Sequence, residues 1–210
     1  MGGAPKDYDA AAYARDLAVF RPFVNQAAPE MVILGPGSVG EGGSLLLSAL
    51  GVLKSEDLLK ATGPVFDVFS YPFYGAVSKR CASMGPEAGT SAAVALSEEW
   101  LSRSGRAEAF YAGHRDKFEP GKPLWLTETA DAACGGNPWG STILDSLRYL
   151  NQNGQLAQRG VQVIAHNTLA TSDYGTARRR VRLSLVRLES GPHFLGRSVG
   201  VKLLFRHLTG

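Results

Sequence analysis

Four short apolar segments recur along this 210-residue chain, and a segment with helical spacing follows each of the first three. The apolar segments are residues 31–34, 65–74, 124–126 and 161–168. Short apolar runs bounded by turn residues indicate buried strands, whereas apolar side chains three or four positions apart indicate helices. Alternation of the two predicts parallel strands joined by right-handed crossovers. The pattern therefore predicts an α/β fold, and it fits either an open doubly wound sheet or half of an eight-stranded barrel.

The predicted helices carry their apolar side chains on one face. They are expected over residues 9–26, 44–53, 56–61, 93–103, 110–118 and 140–152, with a further apolar helix at 199–208. The apolar face comprises Tyr13, Leu17, Phe20 and Phe23 in the first helix, and Ile143, Leu144, Leu147 and Leu150 in the helix at 140–152. Pro72 is expected near the end of the second strand, because a proline within a sheet interrupts the hydrogen-bond ladder.

Composition and motifs exclude several classes of function. The formal net charge of +3 is too small to indicate a nucleic-acid partner, and the basic residues crowd locally at Arg178, Arg179, Arg180, Arg182 and Arg187. No apolar run reaches the roughly 18 residues of a membrane span. The two cysteines and four scattered histidines have no metal-ligand spacing, so neither a metal nor another cofactor is expected. The turn after the first strand matches neither the dinucleotide nor the phosphate-loop pattern.

Glu128 is the strongest candidate for a functional residue. It lies within GKPLWLTETADAACGGNPW (121–139), where an apolar strand ends and a loop with two glycines begins. Burying a carboxylate at a strand end is costly unless it is paired or used, and at the C-terminal end of a barrel strand it is usually catalytic. The alternative is a glutamate that simply faces water, and the residue pattern leaves both interpretations open.

The order of these segments resembles the second half of the catalytic barrel of family 79 glycoside hydrolases, the heparanase and β-glucuronidase type. Four pieces match in order: LGP and VGE within 34–41, the aromatic strand at 67–74, LWLTE with GG at 124–136, and residues 160–168 followed by DYG at 173–175. LLFRHLTG at 203–210 is similar to the end of the last barrel helix. The resemblance covers residues 8–175 and that closing segment. It implies a partial (β/α)8 barrel of the TIM type, about strands 5–8 with their helices.

The resemblance also implies a set of site residues. Glu128 would be the nucleophile of a retaining enzyme, and the Tyr74 hydroxyl would hold its carboxylate. The backbone of the glycine loop and a tyrosine hydroxyl would grip the carboxylate of a uronic acid. The residues expected to bind the substrate, a glycan or β-glucuronide, are Tyr74, Cys134, Gly135, Tyr174, Asn167 and Glu41.

Two smaller expectations depend on the same resemblance. On such a barrel, Cys81 and Cys134 would lie in loops after adjacent strands on one face, where a disulfide could join them. His166 is expected to pack or to hydrogen-bond locally rather than to act on a substrate.

The chain departs from the family pattern in three respects. The family's acid/base glutamate follows the fourth strand in an Asn-Glu pair, and no Asn-Glu pair occurs in this sequence. The helix at 9–26 resembles the one after that pair, so barrel strands 1–4 and the family's small β-sandwich domain are expected to be missing. The arginine-rich segment 176–202 is atypical, and it suggests a divergent insertion or a shifted reading frame.

Three hypotheses of function follow. The first is a retaining β-glycosidase that hydrolyses β-linked glucuronides by double displacement, here as a fragment inactive on its own. The second is a non-catalytic half barrel that binds sugar, the missing half, or a second copy through unpaired strand edges. The third is an unrelated α/β carbohydrate-binding protein. The first nine residues do not form a signal peptide, although the resemblance allows secretion, so the compartment stays open.

Overall fold

A computed structural model describes residues 5–42, 52–84, 91–140, 142–167 and 186–187. Its α-helices are α1 (Ala10–Ala27), α2 (Ser55–Thr62), α3 (Glu98–Phe118) and α4 (Ile143–Gln158). Its strands are β1 (Leu34–Pro36), β2 (Val68–Tyr74), β3 (Leu124–Ala130), β4 (Val163–His166) and β5 (Val186–Arg187). Two short 3₁₀ segments, Lys79–Met84 and Ala92–Val94, lie between β2 and α3.

The strands form one sheet in which chain order and spatial order coincide. β1, β2, β3 and β4 pair in parallel in that order, and the two-residue β5 pairs with β4 in the opposite direction. Right-handed crossovers between strands in sequential order put the connecting helices on one face. In agreement with this, α1 packs on α2, α2 on α3, and α3 on α4. The prediction of an α/β fold with a parallel sheet is confirmed.

The main core lies between β2, β3 and α3. Phe69, Tyr71 and Phe73 of β2 point toward the helices together with Leu124 and Leu126 of β3, and all five are almost completely buried. On the helix side, α3 contributes Ala107 and Tyr111, whose ring stacks on that of Tyr71 with centroids 4.8 Å apart. Burying one such side chain contributes roughly 1.5–3 kcal/mol, so this layer holds the sheet and α3 together.

Several predicted element boundaries differ from those of the structure. The segments 93–103 and 110–118 belong to a single 21-residue helix, α3, which begins where the Ser97 hydroxyl accepts a hydrogen bond from the Trp100 amide. Gly105 and Gly113 lie inside this helix without ending it, because side chains on either side of them anchor it to the sheet. The first strand begins at Leu34 rather than at residue 31, the second begins at Val68 rather than at residue 65, and the third continues past Glu128 to Ala130.

The predicted apolar faces of α1 and α4 are also wrong in part. Three of the four aliphatic residues proposed for α4 are exposed: Ile143 by 77%, Leu147 by 48% and Leu150 by 47%. The buried side of α4 carries polar groups instead, among them Asp145, Arg148, Gln152 and Asn153. In α1, Tyr13 and Leu17 pack against the core as predicted, but Phe20 and Phe23 face solvent.

Large apolar side chains are exposed on α1 and at and just before β1. They are Val19, Phe20 and Phe23 of α1 with Met31, Val32 and Leu34 at β1. β1 pairs with β2 on one side, and within the described residues no strand pairs with it on the other. None of the helices in the described ranges is long and apolar enough to cross a membrane.

Candidate functional site

Tyr74, Glu128 and Asn167 meet where β2, β3 and β4 end. The Tyr74 hydroxyl donates a 2.5 Å hydrogen bond to Oε1 of Glu128. Nδ2 of Asn167 donates to the Tyr74 hydroxyl at 3.0 Å and lies 3.4 Å from the same Oε1. The Glu128 side chain is exposed, whereas Tyr74 is buried behind it. These three residues, the carboxylate cluster, present a solvent-accessible carboxylate on a buried phenol.

An irregularity in β3 puts Glu128 on the same face of the sheet as Tyr74. Leu126 points toward the helices, and strict alternation along the strand would point Glu128 the same way. However, Tyr71 pairs with Leu126 while the next residue, Pro72, pairs with Glu128, so β3 carries one extra residue. The same extra residue appears against β4. This β-bulge reverses the parity of the strand and turns the carboxylate away from the helices.

Pro72 lies opposite this bulge, two residues before the end of β2. This position near the strand end is the one that the sequence predicts, and the described pairing of β1 with β2 stops at Ser70, before Pro72. A proline offers no amide to the ladder, and within a sheet it is confined to edges, strand starts and bulges. Here Thr127, the extra residue opposite, donates its hydroxyl to the Tyr71 carbonyl at 3.3 Å. Pro72 is therefore tolerated both because the pairing with β1 has ended and because it lies opposite the bulge that re-aims Glu128.

The loops after β2 and β3 are joined beside the carboxylate cluster. A parallel bridge pairs Val77 with Ala133, and it continues the β2–β3 pairing beyond the strand ends. The Ser78 amide donates to the Ala133 carbonyl at 3.0 Å. A disulfide then links Cys81 to Cys134, with Cα atoms 6.1 Å apart. The glycine loop after Glu128 is thus tied to the neighbouring loop by both backbone and side chains.

The backbone of the glycine loop is held in one conformation at Cys134. Its carbonyl accepts hydrogen bonds from the Ser78 hydroxyl at 2.7 Å and from Nε and Nη2 of Arg80 at 3.1 and 3.0 Å. Cys134 has a φ of +67°, which is uncommon for a residue with a Cβ, and Gly135 and Gly136 follow at +93° and +75°. Because the peptide group is planar, fixing this carbonyl also fixes the direction of the Gly135 amide.

Asp131 anchors the far side of the same loop. Its Oδ2 accepts a 2.6 Å hydrogen bond from the Asn137 amide, and the side chain is buried. Burial raises the pKa of Asp131 to about 6, the Asn137 hydrogen bond lowers it, and the nearby Asp145 carboxylate raises it further. The carboxyl group is therefore ionised at neutral pH and takes up a proton in mild acid.

A polar network lies between α4 and the sheet, on the face opposite the carboxylate cluster. Arg148 Nε donates to Asp145 Oδ1 at 2.6 Å, and its Nη1 donates to Gln152 Oε1 at 3.0 Å. Gln152 Nε2 donates in turn to the Thr129 hydroxyl at 3.0 Å. All four side chains are buried, so each polar group depends on its neighbour for a hydrogen bond. We call Asp145, Arg148 and Gln152 the α4 polar face.

His166 lies beside this network, where it packs locally as the sequence analysis expected. Its Nε2 lies 3.5 Å from Nη2 of Arg148, and its ring meets the edge of Tyr149 with centroids 4.6 Å apart. Burial lowers the pKa of His166 to about 3, and the Arg148 charge lowers it further. The imidazole is therefore neutral at physiological pH.

Glu41, which was expected at the site, binds the start of α2 instead. The Glu41 carboxylate accepts hydrogen bonds from the Ser55 amide at 2.8 Å and from the Ser55 hydroxyl at 2.5 Å. Glu41 thus satisfies an amide at the start of α2, one of those that a helix cannot pair internally. Tyr174 lies outside the described residues.

The sequence contained weak signals for the residues that it missed. Thr127 belongs to the run LWLTETA, in which polar residues replace the apolar alternation, but no glycine marks the bulge. Thr129 and Gln152 are separated by 22 intervening residues, and only the fold shows that they touch. Ser78 and Arg80 precede Cys81 in the loop after β2, and no sequence motif marked them.

Comparisons with known proteins do not assign the chain to a family. It matches no family model and no curated protein. Within the described parts of the chain, no three His, Cys, Asp or Glu side chains are grouped as metal ligands would be. The case for a function therefore depends on the geometry of the carboxylate cluster.

Proposed function

We propose that this chain carries the nucleophile half of a retaining β-glycosidase of the heparanase and β-glucuronidase type. The observation that carries the proposal is the hydrogen bond from Tyr74 to Glu128 at the C-terminal ends of two adjacent parallel strands. Active sites of (β/α)8 barrels lie at that end of the sheet, on carboxylates that follow individual strands. The substrate class is a β-linked glucuronide or a glycan that contains one.

The partial barrel is supported by the order of the strands. In an open doubly wound sheet the strand order reverses at a switch point, and helices cover both faces. Here β1 to β4 follow one another without reversal, and each helix packs on the next. This singly wound arrangement is the one that eight strand–helix units use to close a barrel.

Glu128 would attack the anomeric carbon of the bound sugar. Both described contacts of its carboxylate are with Oε1, which makes Oε2 the attacking oxygen. The Oε2–C1 bond forms as the bond from C1 to the leaving oxygen breaks, and that oxygen takes the electron pair and a proton from an acid. Water then displaces the sugar from Glu128 and gives its proton to the same group, now a base. Tyr74 and Asn167 would keep the carboxylate oriented throughout.

The mechanism also needs a proton donor, and no residue of this sequence matches the family's acid/base glutamate. The second carboxyl group of a retaining enzyme lies about 5–5.5 Å from the nucleophile, and the family provides it from an Asn-Glu pair that this sequence lacks. Without an acid, the rate on a glycoside with a poor leaving group falls by about 10²–10⁴-fold. We therefore expect the chain alone to be inactive on natural glucuronides.

The glycine loop is the proposed binding site for the carboxylate of the sugar. Backbone amides in left-handed turns bind anions without the help of a lysine. The disulfide and the three hydrogen bonds on the Cys134 carbonyl would hold Cys134 and Gly135 in place for this purpose. Tyr174 keeps its proposed role on the strength of the sequence resemblance alone.

The exposed β1 edge is the proposed contact for a partner. Its apolar residues and its unpaired side, described above, suit either the remaining half of a barrel or a second copy of the chain. If the partner is the other half, it would bring the missing acid next to Glu128.

An aryl β-glucuronide with a good leaving group tests the proposal, because its departure needs no acid. We expect the chain to release about one equivalent of aryl alcohol and to accumulate a glycosyl group on Glu128, detected by peptide mass spectrometry. Glu128→Gln should abolish both, and Glu30→Gln, the same change at an exposed glutamate in a turn, should leave them intact.

Adding azide to the same experiment tests for the glycosyl-enzyme, since azide can attack it without a base. It should release the sugar as its β-azide. Release of aryl alcohol that persists in Glu128→Gln, or a label on another residue, would refute the assignment. Saturable binding of the glucuronide with no label would favour the second hypothesis, a half barrel that binds sugar without chemistry.

A further inference from the structure

Thr129 links α4 to the residues of the carboxylate cluster. It directly follows Glu128 in β3. It pairs with His166, the last residue of β4, and Asn167 comes next in the chain. Its carbonyl accepts a 2.7 Å hydrogen bond from the Asn167 amide, and its hydroxyl accepts one from Gln152. Because neighbouring residues of a strand point to opposite faces, holding Thr129 against α4 holds Glu128 on the other face.

Without the bulge, β3 would pair with its neighbours in a different register. A slip of one residue that removed the bulge would put the Glu128 side chain where Thr129 now lies, against the α4 polar face. There the carboxylate would meet the guanidinium of Arg148, and a charge-assisted hydrogen bond would favour the slipped state. The bulged register therefore needs interactions that the slipped register cannot make.

Two features of the α4 polar face favour the bulged register. Asp145 already pairs with Arg148 at 2.6 Å, which weakens the attraction of that cation for a second carboxylate. Gln152 spans from Arg148 to the Thr129 hydroxyl, with its oxygen accepting from the one and its nitrogen donating to the other. Only the bulged register presents that hydroxyl to α4.

We propose that Gln152 is a positioning residue for Glu128. Its hydrogen bond to Thr129 keeps β3 in the bulged register and so keeps the carboxylate beside Tyr74. Gln152 lies on the helix face of the sheet and acts through Thr129, not on a substrate. The effect on the register stands on the contacts alone, whereas any effect on glycosyl transfer rests on the function proposed above.

Four variants of the full chain separate the hydrogen bond from general packing. Thr129→Val removes the hydroxyl and keeps the shape of the side chain, whereas Thr129→Ser keeps the hydroxyl. Gln152→Met removes the amide at similar length. Tyr71→Phe is the matched control, because it removes one buried hydroxyl from the same face of the sheet, beneath α3.

Amide hydrogen exchange over residues 127–130 and 163–167 reads the register without a substrate. Exchange there should become at least about tenfold faster in Thr129→Val and Gln152→Met, because opening of this strand end becomes easier. Thr129→Ser and Tyr71→Phe should exchange like the parent. The double variant Thr129→Val with Gln152→Met should be no faster than Gln152→Met alone, since that change already removes the bond to Thr129 together with the bond from Arg148.

Labelling of Glu128 by the activated aryl glucuronide gives the second measurement. The maximal labelling rate should fall roughly 10²-fold in Thr129→Val, the effect of a misplacement of about 1 Å, with the half-saturating concentration unchanged. Thr129→Ser should restore the rate. A purely structural role would change the unfolding temperature without this pattern of rescue.

Two results would overturn the proposal: parent-like exchange in Thr129→Val, or equal acceleration in Thr129→Val and Thr129→Ser. The first would mean that the register needs no hydroxyl, and the second that volume matters rather than the hydrogen bond. If the parent itself is not labelled, the proposed function fails, and the exchange data still decide the role of Gln152.

Discussion

The two long helices that lie side by side on the sheet, α3 and α4, bury different kinds of surface. Beneath α3 the contact is aromatic and aliphatic, with Ala107 and Tyr111 packed on the side chains of β2. Beneath α4 it is largely polar, with the Asp145–Arg148 pair and Gln152 reaching the sheet. α3 therefore stabilises the sheet mainly by burying apolar area, and α4 by satisfying hydrogen bonds at the strand ends that carry Glu128 and Asn167.

The difference between α3 and α4 shows under which condition apolar spacing in a sequence predicts the buried face of a helix. That reading assumes that polar side chains are more stable in water, which holds only while they lack partners in the protein. In α4 the side chains of Asp145, Arg148 and Gln152 have partners within the helix or on the sheet, so the polar side can face inward. As a result, the side of α4 that carries Ile143, Leu147 and Leu150 is exposed in the described structure.

The largest expected effect that tests this contrast is on the buried ion pair. Arg148→Met leaves the Asp145 carboxylate, which is 1% exposed, without its cation. We expect the free energy of unfolding to fall by about 3–5 kcal/mol in denaturant titrations, because the remaining buried charge is uncompensated. Arg106→Met on α3, which breaks a pair with exposed Glu99, should cost less than about 1 kcal/mol.

A double variant completes this test. Asp145→Leu combined with Arg148→Met should recover much of the loss, because removing both charges also removes their cost of desolvation. A loss of under about 1 kcal/mol in Arg148→Met alone would mean that water reaches this face. The distinction between α3 and α4 would then be one of composition and not of burial.

The sequence predicted the elements of this fold better than the surfaces they bury. Four apolar runs and their glycine turns sufficed for the strands, because short buried strands depend on local composition. The placement of Glu128 at a strand end was also predictable from GKPLWLTE, and so was its neighbour Tyr74 by resemblance. The bulge at Thr127 was not, since it is a feature of the pairing with β2, where the residue opposite, Pro72, lies 54 intervening residues away. The α4 polar face likewise depends on contacts between distant segments.

A smaller effect concerns pH, because two buried groups near α4 oppose each other. The folded state lowers the pKa of His166 to about 3, so His166 contributes stability above its unfolded pKa that is lost as the pH falls. It raises the pKa of Asp131 to about 6, so Asp131 contributes stability in acid that is lost as the pH rises through 6. Between pH 6.5 and 5 the two contributions change in opposite directions by about 1–2 kcal/mol each.

Single variants should separate these contributions. On going from pH 6.5 to pH 5, Asp131→Asn should lose about 1 kcal/mol more unfolding free energy than the parent, because the loss due to His166 is no longer offset. His166→Gln should gain by a similar amount relative to the parent. Equal slopes in all three proteins would show that neither group is as buried in solution as the structure has it.

The smallest expected effect concerns the exposed aliphatic side of α4. Leu147→Ala should change the free energy of unfolding by no more than about 0.5 kcal/mol, because a side chain that is 48% exposed leaves no closed cavity. Leu156→Ala, the same change at a fully buried position of the same helix, should cost about 2–5 kcal/mol. A cost above about 1 kcal/mol at Leu147 would contradict the contrast drawn here. It would mean that another surface covers these side chains in solution, and α4 would then bury apolar groups on one side and polar groups on the other.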